Sequence, residues 1–246
     1  MEKIYKQSFE ITDLVTDRFG KLKLSAPLFY AQEIAGQHCN LLGTDFDSLA
    51  KHGLFWAVTR HRVQITRMPV RGETITVETW PMPTTRVAYP RAVAAYDAEG
   101  KELFRIISLW VLMDINKRTM VLPGKSSIEV AGILRGTELE TPSSLVPQAL
   151  PSNSSRQVTF SCLDRNGHMN NTKYLDWISD LLDSDFHRDH TAKEYTICYL
   201  SEALEKQQIS LAWQLSQEGI LQVHAHREET DVSKKQTRVF SAQLVF

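Results

Sequence analysis

Runs rich in Val, Ile, Thr and aromatic residues, separated by Pro, Gly and Asp, recur along the chain, a pattern typical of strands. One long stretch departs from it: residues 25–42 carry apolar side chains at helical spacing, with Ser25 placed to cap a helix and Gly43 placed to end it. Strands are predicted around this helix at residues 2–10, 54–67, 73–80, 87–96 and 102–114.

The second part of the chain repeats this order of elements. A strand is predicted at residues 157–162 and a helix at 172–184, followed by strands at 195–202, 207–216, 220–226 and 237–246. The repeat indicates a duplication. Because a helix and a sheet each bury one apolar face, we expect two α+β units, each with a largely buried helix against an antiparallel sheet.

Residues 123–155 differ from their surroundings because they are rich in proline and paired serines. This composition is typical of a linker, with a short ordered piece expected at residues 128–134. The sequence therefore predicts an N-terminal domain at 1–122, a linker at 123–155 and a C-terminal domain at 156–246.

Composition narrows the class of protein. The 246 residues carry a formal net charge of −1, which argues against a general nucleic-acid binder. Three cysteines without metal-ligand spacing predict a reduced, cytoplasmic protein. No run reaches the ~20 apolar residues of a membrane span, and the charged first residues predict no signal peptide.

The candidate chemistry lies between the second predicted strand and helix. Asp164, Asn166 and His168 stand at alternate positions and offer a carboxylate, an amide and a titratable base. Such groups can perform acid–base chemistry and stabilise an oxyanion, and backbone N–H groups at the start of the following helix could contribute to the second task. The competing interpretation is a plain turn in which Asn171 caps the helix.

A longer pattern favours the first interpretation. Residues 164–177 contain Asp-x-Asn-Gly-His-Met-Asn-Asn-x-x-Tyr-x-x-Trp, which resembles the active-site segment of acyl-acyl carrier protein (ACP) thioesterases, enzymes of the hotdog fold. The segments 54–60, 72–80 and 108–113 resemble other parts of the same family. The resemblance implies a tandem (double) hotdog, α+β in class and related to 4-hydroxybenzoyl-CoA-thioesterase-like enzymes, with each sheet wrapped around a long central helix.

The resemblance also implies an activity, namely hydrolysis of acyl-ACP to free fatty acid and carrier protein by an activated water, which ends fatty acid synthesis. It places catalytic residues at Asp164, Asn166, His168 and Glu202, without assigning the general base. No metal or cofactor is expected. Ala203 stands where plant members have cysteine, and no plastid transit peptide is visible, so the resemblance is to a bacterial, cytoplasmic member.

The N-terminal domain is expected to bind the acyl chain and to carry no chemistry, since it has no Asp-x-Asn-x-His sequence. Phe29, Ile34 and Trp56 are the candidate contacts, with ordinary core residues as the alternative. The expected partners are ACP and a fatty acyl chain, and the expected state is a monomer or homodimer. The rival functions are an acyl-CoA thioesterase, a hotdog dehydratase or hydratase, and a non-catalytic acyl-binding module.

Other residues receive structural interpretations. Tyr174 and Trp177 lie at helical spacing and are expected in the core. His224 and His226 lack a third metal ligand, so we expect both at the surface. Arginines 60, 62, 67 and 71 form either a docking patch for acidic carrier protein or a solvated strand face. Cysteines 39, 162 and 198 are expected in a helix and on two apolar strands, where no base activates them.

Overall fold

The computed structural model describes residues 3–136, 139–228 and 236–246 of the chain. Its contacts divide it into two compact units, the first made of Met1–Lys23 and Phe29–Pro142, and the second of Leu24–Leu28 and Ser143–Phe246. Both units are mixed α+β with antiparallel strands. Among the described residues, no helix combines the length and apolarity that a bilayer span requires.

The first unit contains an antiparallel sheet in the order β1-β3-β4-β5-β2, with the short β6 paired to β5. The bounds of its elements are β1 Tyr5–Glu10, α1 Ala26–Leu42 (of which the residues up to Leu28 belong to the second unit), α2 Phe46–Ala50, β2 Leu54–Ile65, β3 Thr74–Pro81, β4 Tyr89–Tyr96, β5 Glu102–Asp114 and β6 Met120–Val121. The helix α2 was not expected from the sequence. It begins after Asp45, whose carboxylate caps it by accepting two backbone N–H groups.

The bounds of α1 confirm the predicted helix, and its end at Gly43 is confirmed, whereas capping by Ser25 stays a prediction. Ser25 directly precedes it, although its hydroxyl donates to the Asp176 carboxylate at 2.6 Å. At the other end, Gly43 adopts φ +67°, the left-handed conformation that glycine tolerates best. The N–H groups of Gly43 and Thr44 donate to the carbonyls of Asn40 and Cys39, which is the Schellman arrangement that closes a helix.

Part of the predicted linker is packed against the first unit. Ile128 and Val130 pack on a cluster around Leu49 and Tyr89, and Ile133 packs against Trp80. The ordered piece expected at residues 128–134 is therefore present, but as an extended strap without helix or strand.

The second unit repeats the strand order of the first. Its sheet runs β7-β9-β10-β11-β8, which corresponds strand for strand to β1-β3-β4-β5-β2. The bounds of its elements are β7 Ser152–Gln157, α3 Lys173–Ser179, α4 Ser184–Asp189, β8 Glu194–Tyr199, β9 Gln208–Leu215, β10 Ile220–Arg227 and β11 Arg238–Val245. The duplication predicted from element order is confirmed at the level of topology.

The first strand of the second unit was wrongly placed by the sequence analysis. We expected it at residues 157–162, but β7 ends at Gln157 and residues 160–162 form a 3-10 turn. β7 pairs with β9 from Ser152↔Trp213 to Gln157↔Gln208. Its polar sequence gave no apolar alternation, whereas the β-prone residues after it leave the sheet because Cys162 N–H turns back to the Thr159 carbonyl.

The predicted helix at 172–184 is also two helices. α3 ends at Ser179. After it, the N–H groups of Leu181 and Leu182 donate to the carbonyls three residues earlier, those of Ile178 and Ser179. Asp183 then accepts the Phe186 N–H at 2.8 Å and caps α4. A strong N-cap inside an apolar stretch starts a new helix in place of extending the first.

Candidate active site

The segment Asp164–His168 is a closed turn built by its own first side chain. Asp164 Oδ1 accepts the backbone N–H groups of Asn166 at 2.8 Å and His168 at 3.2 Å. The backbone N–H of Asp164 donates to the His168 carbonyl at 2.8 Å, and Gly167 adopts φ +76°. The Asp164 carboxylate therefore fixes the backbone from which Asn166 and His168 project.

His168 faces Glu202 across the end of this turn. Nε2 of His168 lies 3.4 Å from Oε2 of Glu202, and the two side chains are 19% and 45% exposed. This separation is longer than a strong hydrogen bond, as is common for catalytic groups without substrate. The pair combines an imidazole and a carboxylate at a site that water can reach.

Glu202 lies outside any strand, although the sequence analysis placed it at the end of one. β8 ends at Tyr199, and the chain continues as an irregular segment, residues 200–204. The Ala203 carbonyl accepts the Met169 N–H at 2.8 Å, which brings this segment alongside the Asp164–His168 turn. His168 and Leu204 form a β-bridge at the same place.

Tyr174 on α3 is buried close to the carboxylates of Asp164 and Glu202. It is 3% exposed and packs edge-to-face against Tyr199 and Phe240. Burial first, and then the charges of Asp164 and Glu202, raise the pKa of Tyr174 above its ordinary value, so the phenol stays neutral. Trp177 is also buried, which confirms both expected core residues.

The amides of the segment have different tasks. Asn166 is exposed beside His168, where its side chain can reach a substrate. Asn170 holds the turn before α3, because its Oδ1 accepts the Thr172 N–H and hydroxyl, each at 2.9 Å, and its backbone carbonyl accepts the Lys173 N–H. In the competing interpretation Asn171 was the helix cap, but the residue at the N-cap is Thr172.

A turn of the same geometry occurs in the first unit at residues 17–21. Asp17 Oδ1 accepts the N–H groups of Phe19 at 2.8 Å and Lys21 at 3.0 Å, and Gly20 adopts φ +74°. The Leu22 N–H donates to the Pro69 carbonyl, as Met169 does to Ala203.

Because the two turns have equivalent hydrogen bonds, their residues can be aligned one for one. Lys21 stands where the second unit has His168, and Met68 stands where it has Glu202. The sequence analysis correctly found no Asp-x-Asn-x-His in this half but missed the shared turn. The shared letters Asp-Arg-x-Gly at 17–20 and 164–167 were the available signal.

Comparison with known proteins identifies the family of this site. The model of the acyl-ACP thioesterase N-terminal domain matches residues 2–122, and that of the acyl-ACP thioesterase C-terminal domain matches residues 148–241. The chain belongs to the acyl-ACP thioesterase family.

Two curated plant members illustrate the relationship. A chloroplastic palmitoyl-acyl carrier protein thioesterase of Gossypium hirsutum is 26% identical over 216 residues, which cover 81% of this chain and 52% of the relative. A chloroplastic dodecanoyl-[acyl-carrier-protein] hydrolase of Cinnamomum camphora is 25% identical over 217 residues, with coverages of 81% and 56%. The chain thus spans about half the length of these relatives.

Solved structures share the fold. An acyl-ACP thioesterase from Bacteroides thetaiotaomicron has a TM-score of 0.87 at 22% identity, covering 99% of this chain and 98% of that one. A 12:0-ACP thioesterase from Umbellularia californica has a TM-score of 0.82 at 20% identity, with coverages of 100% and 97%.

The three expected acyl contacts occupy different environments in this family member. Ile34 is fully buried on α1, whereas Phe29 on the same helix is 48% exposed. Trp56 lies on β2, where it packs on the Leu49 cluster and donates from Nε1 to the Thr44 carbonyl at 2.9 Å. Their proposed role in binding stays a prediction.

The expectation that His224 lies at the surface requires correction. His224 is buried, not at the surface, because it bonds Ser241 at 2.9 Å and accepts the Gln148 N–H. Its pKa is lowered chiefly by burial. Among the described residues, no group of three ligands could hold a metal ion.

The arginine group is already engaged with acidic residues and carbonyls. Arg62 pairs with Glu140, Arg67 with Glu73, Arg71 with Asp13, and Arg60 donates to the Pro142 carbonyl. These contacts favour the strand-face interpretation over a docking patch.

The cysteines are dispersed, and all three lie within the described residues without forming a disulfide. Cys39 on α1 accepts from the buried Arg91, whose pKa is lowered chiefly by burial. Cys162 lies in the 3-10 turn and not on a strand as expected, with its Sγ 3.4 Å from the Thr159 hydroxyl. Cys198 is buried on β8 and donates to the Ser143 carbonyl.

One residue beside the site was missed altogether. Arg227, the last residue of β10, donates from Nη2 to the Glu202 carbonyl at 2.8 Å. The two residues are 25 positions apart in the sequence, and no local pattern joins them.

Proposed function

We propose that the protein hydrolyses acyl-ACP to free fatty acid and carrier protein, and that His168 and Glu202 activate the attacking water. The observation that carries this proposal is the 3.4 Å approach of His168 Nε2 to Glu202 Oε2, both within the residues that match the acyl-ACP thioesterase C-terminal domain. The names of its relatives, a palmitoyl-ACP thioesterase and a dodecanoyl-ACP hydrolase, support the same substrate class.

In the proposed reaction, water oxygen attacks the thioester carbonyl carbon while its proton passes to the His168–Glu202 pair. The carboxylate stabilises the imidazolium that forms when the proton rests on the ring. The tetrahedral intermediate then collapses, the C–S bond breaks, and the thiolate of the carrier takes up the proton. Because a thiol has a pKa of about 8.5, it leaves without a strong general acid.

Asn166 and Asp164 receive different roles in this proposal. The exposed Asn166 amide donates to the oxyanion, which preorganised donors stabilise more strongly than water does. Asp164 acts as a positioning residue, because its Oδ1 holds the backbone of Asn166 and His168. The copy of this turn at Asp17 supports that role, since it keeps the same bonds without an imidazole–carboxylate pair.

We also propose a tandem hotdog, supported by the matching strand order of the two units. In it, residues 1–122 bind the acyl chain through Phe29, Ile34 and Trp56, and the domain at 156–246 carries the chemistry. β7 extends this second domain back to Ser152. A cytoplasmic location, with a monomer or homodimer, completes the proposal and accords with three cysteines that form no disulfide.

The test is a panel of acyl-ACPs and acyl-CoAs of varied chain length, with thiol release followed by a thiol-reactive dye. Thiol release from acyl-ACP supports the proposal. A preference for acyl-CoA would identify coenzyme A, and not ACP, as the carrier. Loss or gain of a double bond without thiol release would indicate a dehydratase or hydratase, and binding without turnover an acyl-binding module.

Three variants locate the chemistry in the same assay. His168→Gln and Glu202→Gln should each lower kcat at least about a hundredfold, as expected for loss of an acid–base group. His52→Gln removes an exposed imidazole from the first unit and serves as the matched control. Normal turnover by folded His168→Gln protein would remove the imidazole from the mechanism.

The acyl panel also tests the proposed chain-binding residues. Ile34→Val and Trp56→Phe should change the chain-length profile more than they change kcat on the best substrate, because they alter the volume of the proposed acyl site. An unchanged profile in both variants would place the acyl chain elsewhere.

A further inference from the structure

The irregular segment 200–204 carries Glu202 and is held by a series of individual hydrogen bonds. At its start, the N–H groups of Leu200 and Ser201 both donate to the Val239 carbonyl, at 2.8 and 3.2 Å. At its end, the Ala203 carbonyl accepts the Met169 N–H, and the Leu204 N–H donates to the Gln207 side chain at 2.9 Å. Glu202 lies between these anchors.

A β-bulge supplies the first anchor. Ala225 pairs with Phe240 while His226 pairs with Arg238, so Val239 is the extra residue of β11. Val239 also follows the last β8–β11 pair, Phe240↔Tyr199, so its carbonyl accepts the Leu200 N–H in continuation of that pairing and the Ser201 N–H in addition. Bulges are frequent beside functional sites.

The anchor at Glu202 itself is Arg227. Its Nη2 donates to the Glu202 carbonyl at 2.8 Å, a bond in which the donor is charged. The Arg227 backbone is fixed on both sides, because its N–H donates to the Thr237 carbonyl and the following N–H donates to the Gln208 carbonyl. The guanidinium thus extends from a rigid strand end.

A second observation separates Arg227 from an ordinary surface arginine. Its Nε is buried and has no hydrogen-bond partner within the residues that the structure describes. A buried donor without a partner costs free energy. Arg227 bears this cost while its Nη2 donates to the backbone carbonyl of Glu202, the residue that carries the proposed catalytic carboxylate. The charge of Arg227 partly offsets the rise in the pKa of Tyr174 that burial, Asp164 and Glu202 cause. Arg227 therefore acts on the same buried phenol as the two carboxylates.

We propose that Arg227 is a positioning residue for Glu202: its guanidinium fixes the Glu202 peptide so that the carboxylate meets His168. This inference rests on the proposed thioesterase function. It assigns Arg227 no contact with substrate, so its loss should reduce kcat and leave KM largely unchanged. Small displacements of catalytic groups have large effects on rate.

The experiment compares Arg227→Ala, Arg227→Lys and the matched control Arg238→Ala, which removes an exposed arginine from the neighbouring strand β11. With the acyl-ACP that the wild type prefers, Arg227→Ala should lower kcat about 10- to 100-fold, with KM within about twofold of wild type. Arg227→Lys should retain part of the activity because an ammonium can also donate to the carbonyl. Guanidinium ion at non-denaturing concentration should restore part of kcat to Arg227→Ala and none to Glu202→Gln.

Wild-type kcat in Arg227→Ala would overturn the inference. A loss that guanidinium does not restore, and that follows a lowered unfolding midpoint, would overturn it too, because it would show general destabilisation. Crystal structures give an answer independent of activity: in Arg227→Ala the His168–Glu202 contact should be lost while the Asp164–His168 turn is kept. An inactive wild type would refute the proposed function, whereas an unchanged contact in Arg227→Ala would refute only the positioning role.

Discussion

In the proposed mechanism, Asp164 is a carboxylate that positions other groups without touching the reacting atoms. Its Oδ1 accepts two backbone N–H groups of the turn that presents Asn166 and His168. An asparagine side chain also accepts such bonds and favours the same kind of turn, but it carries no charge. The two possible roles of Asp164, positioning group and base, are therefore separable by substitution.

We predict that Asp164→Asn keeps kcat within about tenfold of wild type, whereas Asp164→Ala lowers it by about a hundredfold, as for displaced catalytic groups. Steady-state kinetics on the preferred acyl-ACP measures both values. Asp17→Ala, which removes the corresponding side chain from the turn without an imidazole–carboxylate pair, is the control for a general effect of opening such a turn. Equal loss in Asp164→Asn and Asp164→Ala would return Asp164 to the role of base.

A second prediction at the scale of residues concerns His61 and the pH dependence of stability. It is buried on β2, opposite Ser108 on β5, and its Nδ1 lies 2.8 Å from the Ser108 hydroxyl. Burial lowers its pKa from 6.5 to about 3. Below pH 6.5 the unfolded chain therefore binds a proton that the folded protein does not, so stability falls as the pH falls toward 3.

The expected contribution approaches about 1.4 kcal/mol per pH unit within that window. Urea unfolding of the wild type and His61→Asn at pH 7.5, 6.5, 5.5 and 4.5, values chosen at roughly unit spacing across the expected transition, should show a shallower pH dependence in the variant. His52→Asn, at an exposed position, should behave as wild type. Parallel pH profiles for wild type and His61→Asn would contradict the prediction.

At the scale of elements, the sequence was informative wherever apolar alternation and local caps agreed. β5 was predicted with its observed bounds, and the end of α1 at Gly43 followed from a glycine signal. β7 was misplaced because its serine-rich sequence is held by pairing with β9, which no local pattern reports. Tertiary hydrogen bonding overrides β-propensity at such an edge strand.

The extended strap in the first unit predicts a sharp effect of one glycine. A Cβ on Gly132 would overlap the backbone carbonyl of Met82, so the close approach of the two chains requires glycine. Gly132→Ala should lower the free energy of unfolding by about 1–3 kcal/mol, the usual cost of overpacking.

Gly124→Ala is the matched control for this substitution, because a Cβ there meets nothing within 4 Å. Urea unfolding of both variants measures the difference. Equal stability of Gly132→Ala and Gly124→Ala would mean that the strap moves aside without cost.

At the scale of the whole molecule, the sequence singled out the Asp164–His168 segment but not the contacts that hold Glu202 beside it. The 164–177 segment carried both the family resemblance and the turn chemistry, and the resemblance added Glu202. The contacts that hold Glu202 come from Val239 and Arg227, each more than twenty residues away. A single sequence contains no local signal for such distant hydrogen bonds, so Arg227 could be found only in the folded protein.

The distribution of cysteines over both units argues for direct hydrolysis by water, and this is our final prediction. A cysteine nucleophile needs an adjacent base and an accessible thiolate. Cys198 is buried, and Cys39 lies against the buried Arg91 in the first unit. Cys162 precedes the catalytic turn, but its contact is with the Thr159 hydroxyl.

A variant with all three cysteines changed to alanine should therefore retain kcat within about tenfold of wild type, since no covalent step is lost. Thiol release on acyl-ACP measures kcat, and circular dichroism checks that the variant is folded. Mass spectrometry of wild-type protein quenched during turnover should reveal no acyl adduct. Because His168→Gln acts on the proposed water-activating pair, it provides the inactive reference in the same assay. An acyl group mapped to Cys162, or a folded triple variant without activity, would replace direct hydrolysis by a covalent mechanism.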